Sequence, residues 1–203
     1  LGVLEAPGAY GATMAVGPTQ PLGVHMNCGG GVGGFIASPD EERYAREYPT
    51  LNISIAETIK EGEYGFGLTL FHQSSYGMRD EGKDWTGNSV YLWAVANAAY
   101  MAAMGPEGFR EIGELILARS HRAASAIDAL PGCSVDLERP FFKEFVVRFD
   151  RARVADVNAA LRAQGIFGGK DISGEPGIDG QAALFCVTEV HTDADIDRLV
   201  AAL

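Results

Sequence analysis

The chain has 203 residues, of which 47% are hydrophobic, so it is long enough to bury a core in one large or two small domains. Its formal net charge is −11. Because phosphate groups repel a chain of this sign, the charge argues against nucleic acid or an anionic membrane as a partner.

Short strands and one helix are predicted in the first quarter of the chain. Residues 12–16 and 34–38 are short apolar segments flanked by glycine and proline, which is typical of buried strands. A helix is predicted over residues 40–46, where helix-forming residues follow a Ser-Pro-Asp start signal. Residues 51–60 favour no single structure.

A third strand and a buried helix are predicted next. Phe66, Leu68 and Leu70 alternate with other residues over 66–71, which indicates a strand with one apolar face. Residues 88–104 are apolar on almost every side and rich in alanine, so we expect a helix buried between other elements. Gly-Pro at positions 105 and 106 should end this helix.

A long second helix is predicted to begin at Pro106, because proline is favoured in the first turn of a helix. Pro131-Gly132 should stop it. Apolar residues at helical spacing define its core-facing side: Phe109, Ile112, Ile116, Ala123 and Ile127.

After residue 132 the pattern predicts a small α+β domain. Thr192 and Asp195 have the spacing of a capping box, which predicts where the last helix begins. The expected order is strand, strand, helix, strand and helix, over residues 134–137, 144–149, 151–164, 182–190 and 192–203.

The cysteines indicate neither a zinc site nor a disulfide framework. Cys28, Cys133 and Cys186 lie far apart without a CxxC spacing. His25 lies close to Cys28, but two residues do not complete a metal coordination shell, so no metal site is predicted. Reduced thiols, together with the lack of an apolar run of about 20 residues, predict a soluble, cytoplasmic protein. The first residues show no signal peptide, and the chain is expected to start within a fold.

Gly29, Gly31 and Gly34 formally match the GxGxxG fingerprint of dinucleotide-binding loops. That fingerprint needs a strand before it and a helix after it, whereas residues 34–38 have the pattern of a strand. Glycines that allow a bend and a close backbone approach are therefore the favoured interpretation, and NAD is not expected.

The densest polar cluster spans residues 79–88 and contains Arg79, Lys83, Thr86 and Asn88. It lies just ahead of the predicted buried helix, where free backbone N–H groups could bind an anion. Simple capping by Thr86 or Asn88, with solvated charges, explains the same residues and is favoured on local signals.

Five stretches, taken in order and spacing, resemble glycine dehydrogenase (decarboxylating), the P-protein of the glycine cleavage system, in its subunit 1 type. They are spread over nearly the whole chain. The stretches are residues 11–35, residues 65–71, residues 83–89, Gly105 to Gly108, and residues 165–169 with 186–189.

The resemblance implies an α/β fold: the C-terminal part of the large domain of a fold-type I pyridoxal phosphate transferase over residues 1–105, then a long linking helix and a small α+β domain over residues 106–203. In related enzymes the first stretch carries the lysine that binds pyridoxal phosphate. Here Gln20-Pro21 occupies that place. A glutamine amide cannot condense with an aldehyde, so the resemblance implies no catalytic residue of this type in the chain.

The implied function is that of a subunit in a glycine decarboxylase complex. A homologous, lysine-bearing partner would hold pyridoxal phosphate, glycine would lose carbon dioxide, and its aminomethyl group would pass to the lipoyl arm of the H-protein. This chain alone would be inactive, and Arg79, Lys83, Thr86 and Asn88 would contribute to the mouth of the partner's site.

Three alternatives stay open. The chain could be a non-catalytic scaffolding domain derived from the same fold, or part of a paralogous enzyme acting on another amine. The second alternative is suggested by Gln73 to Met78, where the subunit 1 pattern has an arginine- and histidine-rich run. A self-sufficient enzyme would need another lysine, and Lys83 is the best candidate among Lys60, Lys83, Lys143 and Lys170.

Overall fold

The computed structural model describes residues 2–24, 33–48, 52–83 and 90–203. The chain divides into two compact units. The N-terminal unit is Glu5–Met104, and the C-terminal unit is Gly105–Leu203 together with Leu1–Leu4. None of the helices within the described ranges combines the length and apolar character needed to cross a membrane.

The N-terminal unit contains two antiparallel strand pairs. Strands β1 (Ala15–Pro18) and β2 (Gly34–Ala37) form the first pair, and β3 (Asn52–Glu57) and β4 (Tyr64–Thr69) form the second. The strand predicted over residues 34–38 is confirmed in position as β2, whereas β1 begins three residues and ends two residues later than the strand predicted over residues 12–16. Because a strand rather than a helix follows the glycine-rich segment, the GxGxxG match lacks its required context.

The prediction that these strands are buried is wrong for this chain. Val16 on β1, and Phe35 and Ile36 on β2, are exposed. Each pair has only two strands, and a two-stranded pair cannot cover both of its own faces. An apolar run indicates that a strand is stabilised by burial, but it does not show which residues bury the strand.

Strand β3 forms in the segment for which the sequence favoured no structure, and β4 ends earlier than predicted. Phe66 and Leu68 lie on β4, whereas Leu70 has a φ of 52° and leaves the strand. A 3-10 turn, Phe71–Gln73, follows directly. The predicted alternation is therefore correct for two of its three residues and wrong for Leu70.

Short helical elements complete the N-terminal unit. The helix predicted over residues 40–46 is confirmed as α1 (Glu42–Ala45), and α2 (Ser75–Met78) lies in the loop after β4. Two further 3-10 turns are Pro7–Tyr10 and Arg79–Glu81.

A long helical segment, α3 (Tyr91–Asp128), contains one residue with non-helical backbone. Gly105 has φ 59° and ψ 179°, and Pro106 follows it, so the segment consists of two helices, as the Gly-Pro pair predicts. The prediction that the first of them is buried is wrong, because Leu92 and Val95 are exposed. Asn97, a polar residue, is instead its one fully buried side chain among those that the structure describes.

The C-terminal unit contains a four-stranded antiparallel sheet and two further helices. All five elements predicted after residue 132 are present, with ends shifted by up to four residues, and a two-residue edge strand was not predicted. In chain order the elements are β5 (Cys133–Val135), β6 (Glu144–Phe149), α4 (Val154–Ala163), β7 (Lys170–Asp171), β8 (Gln181–Cys186) and α5 (Asp193–Ala202). The strand order in the sheet is β5-β6-β8-β7.

A single hydrophobic core lies between the sheet and the helices of the C-terminal unit. Ile127 of α3, Val147 of β6 and Val154 of α4 are fully buried in it. The predicted core positions Ile116, Ala123 and Ile127 are confirmed. The other two predicted positions on this side of the helix are only half-buried; they are Phe109 and Ile112.

The last helix begins where the capping box predicts. The backbone N–H of Asp195 donates to Thr192 Oγ1, and the backbone N–H of Thr192 donates to Asp195 Oδ2. Ile196 lies under this turn and is buried in the core. Local sequence signals and packing agree here, which makes this helix start well determined.

Candidate functional site

The segment from Thr19 to Val24 follows β1 and contains Gln20, which the resemblance described above leads us to compare with the place of a cofactor lysine. The backbone N–H of Thr19 donates to the carbonyl of Gly33 at 2.8 Å and extends the β1–β2 pairing by one residue. The N–H of Leu22 then donates back to Thr19 at 2.9 Å and closes a turn. Gln20 lies within this turn and is exposed.

Helix α3 fixes this turn through Asn97. The side-chain amide nitrogen of Asn97 donates to the carbonyl oxygens of Thr19, at 3.1 Å, and of Leu22, at 2.8 Å. Only 4% of Asn97 is exposed, so these hydrogen bonds lie away from water. The backbone on both sides of Gln20 is therefore held in a defined position.

A close approach to α3 also explains the glycine that ends the turn. Gly23 has a φ of 84°, and a Cβ built on it would lie 2.6 Å from the ring of Tyr100. Both the torsion angle and the space favour glycine. Val24, the next residue, is buried.

The residues at this site do not fit covalent attachment of pyridoxal phosphate to this chain. An imine needs a primary amine, and the lone pair of the Gln20 amide nitrogen is delocalised into the carbonyl group. The other polar side chain of the turn is also no amine: Thr19 Oγ1 is buried beside Gly33 and has no hydrogen-bond partner among the described residues. Neither group can replace a lysine.

The four lysines considered from sequence lie on other elements. Lys60 forms an exposed ion pair with Glu63 at 3.2 Å, and Lys83 Nζ donates to the carbonyl oxygen of Arg46. Lys143 precedes β6, and Lys170 lies on β7. The Lys83 amine therefore contacts a backbone carbonyl on another loop and lies far in sequence from the turn that contains Gln20.

Of the predicted loop residues, Arg79 and Lys83 lie on one compact loop after β4, whereas Thr86 and Asn88 lie outside the described residues. The loop is closed by the backbone N–H of Lys83, which donates to Gln73 at 2.7 Å. The hydroxyl of Ser74, a fully buried residue, donates to the carbonyl of Phe71 at 2.6 Å.

Close backbone approaches make this loop compact. A Cβ on Gly82 would lie 2.4 Å from the backbone nitrogen of Ser75, and one on Gly77 would lie 2.9 Å from the carbonyl oxygen of Phe71. Arg79 has φ 54° and ψ −118°, a combination that costs a non-glycine residue on the order of 1–3 kcal/mol. No salt bridge joins its guanidinium to any residue in the described ranges.

The C-terminal unit has a cavity of about 290 Å³ beside the loop at residues 165–168. Its polar lining groups already have local partners. His191 Nδ1 accepts the N–H of Thr188, Asp195 belongs to the capping box, and Arg198 donates to the carbonyl of Gln164. The cavity therefore offers mainly apolar walls.

Cys186 also lines this cavity but is not an activated nucleophile. Burial raises the pKa of its thiol above the ordinary value, and nearby Lys143 offsets this only in part. Within the described part of the chain, no group of three or more His, Cys, Asp or Glu residues could hold a metal ion. His25 and Cys28 lie outside that part.

Sequence reasoning missed Asn97 as a site residue. The signal was present, because Asn97 is the lone amide inside the apolar stretch of residues 90–104. Its partners are backbone carbonyls 75 and 78 residues away, and no side-chain pattern marks those carbonyls.

Comparison with known proteins gives consistent results. A family model described as the glycine cleavage system P-protein matches residues 1–203. The probable glycine dehydrogenase (decarboxylating) subunit 1 of Desulfitobacterium hafniense is 37% identical over 204 residues, which cover 100% of this chain and 45% of that protein.

Two solved structures resemble this chain. A crystal structure of glycine decarboxylase (P-protein) of the glycine cleavage system, in inhibitor-bound form, has a TM-score of 0.81 and 34% identity over 99% of this chain and 45% of its own. A sphingosine-1-phosphate lyase from Burkholderia pseudomallei shares the fold, with a TM-score of 0.60 and 21% identity over 95% of this chain and 36% of its own.

The chain spans about 45% of the length of the P-protein relative and the P-protein structure that it matches. Its mixed α/β fold resembles that of fold-type I pyridoxal phosphate enzymes. With the family model matched over all 203 residues, the chain belongs to the glycine cleavage system P-protein family and is a homologue of glycine dehydrogenase (decarboxylating) subunit 1.

Proposed function

We propose that this chain is part of a non-catalytic subunit of a glycine decarboxylase complex. The complex decarboxylates glycine and passes the aminomethyl group to the lipoyl H-protein. Pyridoxal phosphate belongs to a lysine-bearing, homologous partner subunit. The name "subunit 1" of the relatives, which implies a second subunit, supports this division of labour.

One observation carries the proposal: Gln20 lies in a turn whose backbone Asn97 holds on both sides. The turn keeps an ordered structure, although the residue on it cannot form the covalent bond that the family's chemistry requires. An ordered site without the reactive amine fits a subunit that supports a partner's active site rather than providing one.

The two units fit this assignment. Residues 1–105 correspond to the C-terminal part of a large transferase domain, and residues 106–203 to a linking helix and a small α+β domain. The unit boundary next to Gly105, and the four-stranded sheet with its helices after residue 132, support it.

The loop after β4 contributes to the mouth of the partner's site. Arg79 is a cation on a compact loop without a salt bridge to the described residues, and a guanidinium binds a carboxylate such as that of glycine through paired hydrogen bonds. Lys83 lies on the same loop, and Thr86 and Asn88 complete the proposed group. We expect these residues to orient an anionic substrate, with no covalent role.

Borohydride reduction with pyridoxal phosphate tests the division of labour. The purified chain, the lysine-bearing homologue encoded by the same genome, and their mixture are each reduced, digested and mapped by mass spectrometry. We expect a pyridoxyl label on one lysine peptide of the homologue. A label on any peptide of this chain, Lys83 above all, would show that this chain is itself the cofactor subunit.

Exchange of the glycine carboxyl group with labelled bicarbonate tests the activity. Only the mixture with lipoyl H-protein should catalyse exchange, and either subunit alone should be inactive. Absence of a heteromer in light scattering would favour a scaffolding domain without a role in catalysis.

A paralogous reaction on another amine is the second candidate. The observation that favours it is Gln73 to Met78, which replaces an arginine- and histidine-rich run and folds into a compact turn and α2. If the mixed subunits form a heteromer and bind pyridoxal phosphate, yet release carbon dioxide from another amino acid and not from glycine, this candidate replaces the first.

A further inference from the structure

A short turn joins β8 to α5 and is closed by hydrogen bonds between the same two residues. The backbone N–H of His191 donates to the carbonyl oxygen of Thr188 at 3.2 Å, and the backbone N–H of Thr188 donates to Nδ1 of the His191 ring at 3.0 Å. The Thr188 hydroxyl lies 3.4 Å from the same ring nitrogen. The side chain of His191 therefore closes the turn that its own backbone forms.

The bond from the Thr188 N–H fixes the protonation state of the His191 ring. A backbone N–H can only donate, so Nδ1 must carry a lone pair and no proton. The neutral ring then carries its proton on Nε2. An imidazolium has an N–H at both nitrogens and offers the Thr188 N–H no acceptor. Uptake of one proton by the ring therefore removes this hydrogen bond.

The charges around the ring do not restore the lost acceptor. Asp195 on α5 interacts electrostatically with His191, and its Oδ1 atom is not used in the capping box, so this carboxylate offers the imidazolium another partner. The other titratable or charged residues around the ring and the adjoining cavity are Glu189 in the turn, Cys186 on β8, Arg198 on α5, Lys143 and Glu144 at the start of β6, and Arg119 on α3. Because both signs are present, we expect the loss of the acceptor to decide the outcome.

A second contact holds the turn independently of pH. Arg119 on α3 donates to the carbonyl oxygen of Glu189 at 2.6 Å. A guanidinium keeps its protons under all conditions in which the protein is folded. The turn thus has one anchor that titrates and one that does not, so the middle of the turn stays on α3 when the ring leaves Thr188.

The turn leads directly into the start of α5. Thr192 follows His191 and caps the helix, and Ile196 in the first turns of the helix is buried in the core. Loss of the bond between the His191 ring and Thr188 should therefore loosen the backbone beside the capping box. His191 also lines the cavity next to residues 165–168, so the wall of the cavity changes in the same event.

We propose that His191 is an acid-sensitive latch on the turn between β8 and α5. The neutral ring closes the turn through Thr188, and the protonated ring releases Thr188 and loosens the first turn of α5. Imidazole is the side chain whose charge ordinarily changes between pH 5 and 8. The inference concerns the C-terminal unit alone and does not depend on the proposed function.

Nuclear magnetic resonance of the full 203-residue chain tests the latch. At pH 8 the nitrogen shifts of the His191 ring should be those of a bare Nδ1 and a protonated Nε2. The protection factor of the Thr188 amide against hydrogen exchange should then fall at least about tenfold as His191 titrates between pH 8 and pH 5.

His121 provides an internal comparison. Its Nε2 lies 3.1 Å from the carbonyl oxygen of Phe141, and a protonated Nε2 can donate to that oxygen in either charge state of the ring. Protection of the amides next to His121 should therefore change by less than about threefold over the same pH range. The pKa of Asp195 is lowered below 3.8, so its charge is constant there and cannot produce the change at Thr188.

Two substitutions distinguish a latch from a residue that only fills space. His191→Asn places an amide oxygen at the same distance from the backbone as Nδ1. This oxygen can accept the Thr188 N–H but does not titrate, so we expect high protection of the Thr188 amide at both ends of the pH range. His191→Ala supplies no acceptor, so protection should be low at both ends.

Three results would overturn the latch. The first is a neutral ring with its proton on Nδ1. The second is wild-type protection of the Thr188 amide that stays constant while His191 titrates. The third is a pH response of that amide that persists in His191→Asn, which would assign it to another group. If His191→Ala does not fold, the wild type and His191→Asn still decide between these outcomes.

Discussion

The side-chain amide nitrogen of Asn97 lies 2.8 Å from the carbonyl oxygen of Leu22, although 75 residues separate the two in the sequence. The same amide also donates to Thr19. One buried side chain on a helix thus fixes the turn that contains Gln20. The turn at Gln20, which the proposed function compares with the place of a cofactor lysine, is therefore supported by a residue on a distant part of the chain.

Replacement of Asn97 should destabilise the protein. Asn97→Ala removes two hydrogen bonds; the carbonyl of Thr19 keeps the N–H of Leu22 as a donor, whereas the carbonyl of Leu22 loses the amide of Asn97, so the free energy of unfolding should fall by about 1–3 kcal/mol. The measurement is urea unfolding followed by fluorescence. Ala98→Ser, on an exposed position of the same helix, should change the value by less than about 0.5 kcal/mol. Equal effects of the two changes would contradict the role of the amide.

Gly168 should not tolerate even a methyl group. A Cβ there would lie 2.1 Å from Asn158 Oδ1 and 2.8 Å from Leu161 Cδ1, and the Asn158 side chain is held in place by its hydrogen bond to the carbonyl of Gly169. Gly168→Ala should therefore cost about 1–3 kcal/mol through overpacking.

The matched control for this change is Gly174→Ala, because nothing lies within 4 Å of a Cβ at that position. It should be neutral or slightly stabilising. Thermal unfolding by calorimetry compares the two variants, and a similar melting temperature for both would show that the loop at Gly168 is looser than its packing indicates.

The capping box gives the last helix a pH-dependent contribution. Hydrogen bonds from the hydroxyl and then the backbone N–H of Thr192 lower the pKa of Asp195 below its ordinary value of 3.8. A carboxyl group with a lowered folded-state pKa contributes stability that is fully present above 3.8 and is lost as the pH falls through the lower folded value.

Thr192→Ala should cost about 1 kcal/mol at neutral pH, because it removes the cap. The difference between this variant and the wild type should shrink below pH 3.8, as Asp195 is protonated in both. Unfolding curves measured from pH 7 down to pH 2.5 check this. A difference that stays constant with pH would mean that the carboxylate adds nothing to the cap.

Cys133 and Cys186 should react slowly with alkylating agents. Partial burial raises the pKa of both thiols above the ordinary value of 9.0. Asp150 adds to this effect at Cys133, whereas Lys143 offsets part of it at Cys186, whose residue surface is still exposed. The reactive thiolate is therefore scarce at pH 7–8. Peptide-resolved iodoacetamide labelling should show slower modification of these two sites in the folded chain than in urea, and the gap should narrow as the pH rises. Equal rates in both states at pH 7.5 would be inconsistent with the raised pKa values.

The C-terminal unit could be predicted from sequence because its signals are local. Alternating Phe145, Val147 and Phe149 predicts β6 within the bounds that the structure shows, and Thr192 with Asp195 predicts the start of α5. In each case the pattern that forms the element also forms its buried face, so local preference and packing agree.

In the N-terminal unit, local sequence patterns do not predict every strand and its burial correctly. The alternation of Ile53 and Ile55 was too short to separate strand from helix, and only pairing with Phe66 and Leu68 makes β3 a strand. Apolar residues in β2 and in the first part of α3 predicted burial, yet Phe35 is exposed. A hydrophobic pattern indicates that a surface is stabilised by burial. It does not show that the residues that bury this surface belong to the same 203 residues.

The backbone at Gly105 divides the long helical segment into two helices that do not share a continuous hydrogen-bond pattern. With φ 59° and ψ 179°, in a region open essentially to glycine alone, and with a proline next in sequence, the ladder of hydrogen bonds is cut at one residue. Helical cooperativity travels along that ladder. We therefore expect residues 91–104 and 106–128 to gain no helical cooperativity from one another, so that the stability of each helix depends on its own packing.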